Sequence, residues 1–320
     1  MDAEQVAGVQ KSSRRRGISR KFRRTAWFYF FISPWLLGFV FLWIFPLVVG
    51  FLTSLTDYDG LNLANLNFVG LRNYARVFTG EDRDALFAFG QTLKWMALNL
   101  PAWMILSFIL ALILNQDVRG RGFFRTAYYI PSVIPIVALI WVWRIILDRN
   151  VGLLNALLNV FRPGTAINWL TTYALPGLTI IAIWTGLGWG MVVFLAGLQG
   201  IPDELIEAAR IDGASSLQIF RHITIPLMTP VIFFVLVNGL VSGFQQYVIP
   251  QLLNAGGNIA AAPPRQVYLI LSHVNRQVFA FQRFGYGTAL LWLLFFVIVA
   301  ITFVLFRSSN YWVYSEAEAG

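Results

Sequence analysis

Six stretches of the chain stay apolar for about twenty residues or more, the length a helix needs to cross the hydrocarbon of a bilayer. They cover 27–52, 87–114, 127–147, 175–199, 230–250 and 286–306. Each is apolar on all sides rather than alternating, so the pattern predicts an all-α membrane protein with six transmembrane helices. The fifth stretch is interrupted by Asn238, Ser242, Gln245 and Gln246. At offsets of four, seven and eight, these polar residues share one helical face. A different rhythm governs 201–226, where apolar and polar positions recur at helical spacing on either side of Gly213. That segment predicts two short helices joined by a turn.

Composition narrows the class. Of 320 residues, 58% are hydrophobic and 12% charged, and the mean hydropathy is +0.65. Soluble domains carry about 45–50% apolar and about 25% charged residues. The balance excludes a disordered chain or a coiled coil and argues against a soluble globule. A nucleic-acid-binding domain is excluded too, although the net charge is +9. There is no cysteine, and the only histidines are His222 and His273. Disulfides, thiolate metal sites, cysteine nucleophiles and His-rich metal sites are therefore excluded.

The placement of charge sets orientation. With the N-terminus inside, the inner segments hold 14 basic residues: the tail from Lys11 to Arg24, then Arg119, Arg121, Arg125, Arg210, Arg221 and Arg307. The outer loops hold 8: Arg72, Arg76, Arg83, Arg149, Arg162, Arg265, Arg276 and Arg283. Both termini are expected in the cytoplasm. The expected organisation is a basic, disordered cytoplasmic tail over 1–26, a six-span domain over 27–306, and a cytoplasmic C-terminal tail over 307–320. The run Arg14-Arg15-Arg16 reads as a topology anchor rather than a nucleic-acid site or an export signal, because no small-x-small cleavage site follows it. Trp27 to Phe30 sit where an interfacial aromatic belt belongs.

The spans lack the groups of a self-powered machine. All 15 acids lie in tails, loops or span ends, whereas ion-coupled carriers keep titratable acids within the membrane. Lys94 and Arg144 are the membrane-level charges, and Arg144 is spaced to pair with Asp148. No set of His, Asp or Glu converges at one depth as an enzyme would need. There is no G-x-x-x-x-G-K-[ST] segment, so this chain does not bind ATP in the P-loop manner. An active transporter built on it takes its energy from another polypeptide. A self-sufficient channel or secondary carrier is the rival class.

Residues 201–226 read IPDELIEAARIDGASSLQIFRHITIP. Pro202, Asp203 and Glu204 suit a helix start, Gly213 a left-handed stop, and Ser215 or Ser216 the cap of a second helix. Glu207-Ala208-Ala209, Gly213 and Ile223-Thr224-Ile225-Pro226 resemble the EAA loop of ABC importer permeases, with Ile225 in place of the usual leucine. Three further segments are similar to the same family: Gly70-Leu71-Arg72-Asn73-Tyr74 after the first span, Arg119-Gly120-Arg121-Gly122 leading into the third, and Gly285-Tyr286-Gly287 opening the sixth. Together they resemble the maltose-type carbohydrate permeases of binding-protein-dependent type I importers.

That resemblance implies a multi-pass subunit of a bacterial inner membrane. Its partners would be a second, related permease, two ABC ATPase subunits that bind the ATP and Mg, an extracytoplasmic solute-binding protein and a sugar or oligosaccharide. It implies no cofactor in this chain. A glycerol-phosphate-type importer is the alternative within the family. Glu207, Ala208, Ala209 and Gly213 would couple the loop to the ATPase. Glu207 offers a carboxylate to a basic group, the alanines allow close approach, and Gly213 fixes the bend.

The polar face of the fifth span allows two readings, helix–helix packing or a wet cavity. Span four adds Thr185, Gly186 and Trp189, and a tryptophan among small residues can stack on a sugar ring. The resemblance places sugar contacts in these two spans, near Thr185, Gly186, Trp189, Gly239 and Gly243. With Asn238, Ser242 and Gln246 they form the expected substrate pathway. The family's polar and tyrosine contacts are mostly replaced here, so the resemblance carries the location of the site and not a maltose specificity.

Overall fold

The computed structural model describes residues 20–62, 66–117, 119–254, 258 and 261–314. The tail expected over 1–26 lies outside the described residues as far as residue 19, and so does the C-terminal tail beyond residue 314. The chain divides into two units, residues 1–50 and 51–320. The first contributes helix α1 (Arg20–Phe39), a π-turn (Val40–Ile44) and most of α2 (Phe45–Ser54). The helix thus begins ahead of the span expected at residue 27.

The second unit is a helical bundle. Its long members are α4 (Arg83–Asn115), α8 (Ala174–Gln199), α11 (Ile225–Phe244) and α14 (Phe284–Ser309). Ahead of them lies α3 (Arg72–Phe78), and between them α5 (Arg121–Val133), α6 (Ile136–Ile146), α7 (Leu153–Phe161), α9 (Asp203–Ile211), α10 (Ser216–Ile219), α12 (Val248–Asn254) and α13 (Ile270–Asn275). Among the described residues the only β pairing is one isolated bridge, Thr56 with Phe68. The core runs along the seam where α4 and α8 pack and α11 lies on both. Trp95, Phe194, Met191, Met228 and Val235 are buried there.

Two spans depart from the expected pattern. The third, expected as one helix over 127–147, is broken into α5 and α6, which meet at 99°. Pro135 is the cause: it has no N–H to donate, and it forces Ile134 into an extended conformation with ψ 135°. Hydropathy carries straight through the break because Ile134 and Ile136 are as apolar as their neighbours. The fifth, expected over 230–250, ends at Phe244, and Gln245 and Gln246 form the break before α12. The expected Arg144–Asp148 pair is loosened: the Val151 and Asn150 N–H groups, and after them the Arg144 charge, lower the Asp148 carboxyl, but the two side chains do not close to a salt bridge. The Arg144 guanidinium lies over the Trp141 ring at 5.0 Å, while Asp148 accepts the backbone N–H groups of Asn150 and Val151.

The segment Gly70 to Tyr74 has a structural task. Asn73 is buried and its amide donates to the carbonyls of Ser54 and Thr56, at 2.9 and 2.7 Å. It satisfies acceptors left open at the end of α2. Gly285 completes this corner, because a Cβ there would lie 2.0 Å from the Thr56 carbonyl.

Asp82 fastens the N-terminal end of α4. Its Oδ1 caps the helix by accepting the Ala85 N–H at 3.0 Å. Its Oδ2 accepts from His273 Nε2 at 2.9 Å, Gln277 Nε2 at 3.2 Å and the Tyr286 hydroxyl at 2.8 Å. Tyr268 is hydrogen-bonded to the other nitrogen of His273. Burial opposes ionisation of Asp82, but His273, Tyr286 and the Ala85 N–H outweigh it and lower the carboxyl to about 2. The depressed value fixes the sign of the pH dependence. The stabilisation is complete above the unfolded carboxyl's range near pH 4 and is lost as pH falls towards 2. Asp82→Asn is expected to lower Tm at pH 7 and to flatten the loss of stability between pH 4 and 2. Thermal unfolding of the purified chain across that range checks both.

Candidate functional site

The loop after α8 is shaped by local chemistry. Asp203 and Glu204 occupy the first turn of α9 and Arg210 the last, each matched to the helix dipole. Gly213 has φ +83°, the left-handed region that glycine reaches without strain. Around it Ala214 N donates to Ala209 O at 2.9 Å and Gly213 N to Arg210 O at 3.0 Å, the two bonds of a Schellman stop. Ser215 then opens α10 with a reciprocal capping box: its hydroxyl accepts from Gln218 N, and Gln218 Oε1 accepts from Ser215 N at 2.7 Å.

The surface of this loop is unusual in what it leaves uncovered. No residue of α9 is buried. Ile211 is 86% exposed and Leu217 75%. Glu207 and Ala208 are exposed and Ala209 is half-buried. Among the described residues no ion pair uses Glu207. A self-shaped loop that offers a carboxylate beside bare aliphatic side chains suits a protein partner.

The second feature is a cavity of about 460 Å³ between α4, α8 and α11. Gly186 and Trp189 line it from α8, and Asn238, Gly239, Ser242, Gly243 and Gln246 from α11 and its end. Seven of the eight residues expected on the substrate pathway therefore meet around one space. Thr185 does not line it: its hydroxyl donates to the Ala182 carbonyl at 3.0 Å, and its own carbonyl accepts from Ser132. Gln245 turns to a separate groove lined by Tyr247 and Phe284.

The third wall went unread in the sequence. Trp95, Asn99, Leu100 and Trp103 of α4 line the same cavity. Trp95, Asn99 and Trp103 are four residues apart, so they stack along one helical face. That spacing, an amide between two tryptophans in an apolar span, is the signal available in the sequence.

Trp103 explains the glycines. A Cβ on Gly186 would lie 2.9 Å from the Trp103 Nε1, and one on Gly239 would lie 2.7 Å from its ring and 2.6 Å from Leu100. A Cβ on Gly190 would lie 2.6 Å from Ser107 Oγ and 3.1 Å from the Trp103 ring. Glycines from two helices thus form the slot that holds one indole. Trp103 stacks on Trp189 with ring centroids 5.9 Å apart and planes 17° apart. Gly239→Ala is expected to destabilise the chain by about 1–3 kcal/mol through overpacking and to displace Trp103. Thermal unfolding and intrinsic fluorescence read the two effects separately.

Comparison with known proteins agrees with this architecture. Residues 103–313 match the family model described as "Binding-protein-dependent transport system inner membrane component". The chain is 33% identical to the probable ABC transporter permease protein YesP of Bacillus subtilis, over 91% of this chain and 92% of that one. It is 29% identical to the trehalose/maltose transport system permease protein MalF of Thermococcus litoralis, over 91% and 96%. The crystal structure of a bacterial ABC transporter that imports the acidic polysaccharide alginate matches the fold with a TM-score of 0.77, at 21% identity, over 91% of this chain and 97% of that chain. Six apolar spans, the loop at 201–226 and the match over most of the chain lead to one conclusion: the protein belongs to the binding-protein-dependent transport system inner membrane components, the non-catalytic permease subunits of ABC transporters.

Proposed function

We propose that this chain is one half of a permease pair in an importer for a sugar or oligosaccharide, with both termini in the cytoplasm. A second, related permease completes the pathway, two ATPase subunits drive it, and an extracytoplasmic solute-binding protein delivers the cargo. The observation that carries the reading is the exposed helix–turn–helix of α9 and α10, whose turn and caps are made by its own residues and whose surface leaves Glu207, Ile211 and Leu217 uncovered.

Several facts support it. The sequence has no P-loop, so ATP must act through another subunit. Relatives are named for trehalose and maltose, for arabinooligosaccharides and for starch degradation products. A fold neighbour is described in complex with a periplasmic protein that holds an alginate pentasaccharide. The cavity supplies indole rings and amides, which suit the apolar faces and hydroxyls of a sugar. In this mechanism α9 docks in the ATPase through Glu207 and the small residues Ala208 and Ala209. Gly213 holds the angle at which closure of the ATPase pair is passed to α11, and the spans alternate between inward- and outward-facing states.

Glu207→Lys tests the reading in the assembled complex. A reversed charge against a basic partner costs several kcal/mol. We expect binding-protein-stimulated ATP hydrolysis and uptake to fall at least tenfold while the Tm of the isolated chain stays within about two degrees. Uptake at the wild-type rate would overturn the coupling assignment. Mass spectrometry of the purified complex should find a P-loop ATPase and a second six-span permease.

A further inference from the structure

The α4 wall of the cavity carries polar atoms that the protein itself leaves unanswered. Asn99 Oδ1, Trp95 Nε1 and Trp103 Nε1 are each buried without a hydrogen-bond partner. Trp95 is only 1% exposed, yet it lines the cavity together with Asn99. Asn99 stands sixteen residues from either end of α4, at its midpoint. Buried polar atoms without partners cost free energy and are rare in native proteins. Trp103 Nε1 faces Gly186 in its slot, but partners for Asn99 Oδ1 and Trp95 Nε1 are expected to arrive from the cavity. An indole N–H only donates and the Asn99 oxygen only accepts. One turn apart on the same face, they suit a group that does both, and a sugar hydroxyl is such a group.

The rest of the lining points the same way. Its side chains are indoles, the amides of Asn99, Asn238 and Gln246, one serine and small or aliphatic residues; none carries a charge. A carboxylate or phosphate can only accept, so it would meet the Asn99 oxygen unfavourably and find no cation on this wall. Trp189 is 37% exposed and backed by Trp103, which is 8% exposed. The pair leaves Trp189 as a rigid plane for the apolar face of a pyranose ring.

Resting on the importer reading above, we propose that Asn99 and Trp95 of α4 are specificity-determining residues that read cargo hydroxyls, and that the cargo is a neutral oligosaccharide rather than a uronic or phosphorylated one.

The test uses the complete transporter with its binding protein in proteoliposomes. A mixed digest of neutral, uronic and phosphorylated polysaccharides is supplied, and mass spectrometry identifies which oligomers enter with ATP. Uptake confined to neutral oligomers is the expected result. Uptake of uronic or phosphorylated oligomers overturns the neutral-cargo proposal and leaves the importer reading standing. If no saccharide enters, the importer reading fails, and this proposal with it. Asn99→Leu then isolates the residue, assayed with whichever neutral oligomer enters. The half-saturating concentration should rise at least tenfold with the maximal rate within twofold, and Asn99→Gln should restore part of the loss. The Tm should hold or rise, since the change removes an unanswered buried amide. A fall in Tm with an unchanged half-saturating concentration would give Asn99 a packing role only and overturn its assignment.

Discussion

A bilayer interior offers a polypeptide no hydrogen bonds, and this single constraint orders the whole chain. Every peptide group at membrane depth must be satisfied from within. Helices do this along their length, so α4, α8, α11 and α14 carry the structure. Wherever the ladder is interrupted, another element must close on the gap. Beside the break in the third span, α5 is tied to α8, where Ser132 Oγ donates to the mid-helix Thr185 carbonyl at 2.8 Å. Gly188 makes that approach possible, because a Cβ there would stand 2.5 Å from the Tyr128 carbonyl and 2.9 Å from Ser132 Oγ. At the end of α2 the same problem is met by the Asn73 amide. Polar and small residues in this membrane protein thus mark the places where helices stop or touch.

Features encoded within a few residues were legible in the sequence, and features that depend on distant pairs were not. Five spans are recognisable from apolar length alone, because one helix satisfies its own backbone and needs no knowledge of its neighbours. The turn at Gly213 and the cap at Ser215 are local in the same sense, since every bond they make lies within six residues. The break at Ile134–Pro135 was written in the sequence as a proline but masked by the hydropathy around it. The Asp82 cluster was invisible for another reason. Its partners His273, Gln277 and Tyr286 lie 191 to 204 residues away, and one carboxylate in a loop gives no hint of them.

The cavity shows both limits together. The face of Asn238 and Ser242 could be read from helical spacing, as could the position of Trp189, but Gln245 and Gln246 lie past the end of α11, where that spacing no longer applies. What the spacing left open was whether glycines beside that face mean empty space or a close neighbour. The structure answers with Trp103, whose ring fills the slot that Gly186 and Gly239 provide. The α4 face of Trp95, Asn99 and Trp103 obeys the same four-residue rule, but an isolated amide in an apolar span reads equally well as a bridge between helices.

The slot around Trp103 also constrains any mechanism. One indole is held by glycines from α8 and α11 while its backbone belongs to α4, so three helices share a single packing contact. A close-packed contact of this kind does not stretch; it slips between discrete arrangements or holds. If α11 is moved by a partner acting on α9 and α10, as proposed, Gly239 must either carry Trp103 with it or slide past its ring. In both cases the ring stacked on Trp189 changes its surroundings, and the wall of the cavity is altered by a movement begun in the loop at 201–226. Coupling between that loop and the cargo then needs no relay of charges through the membrane. It needs one large side chain in a space that only glycine leaves open.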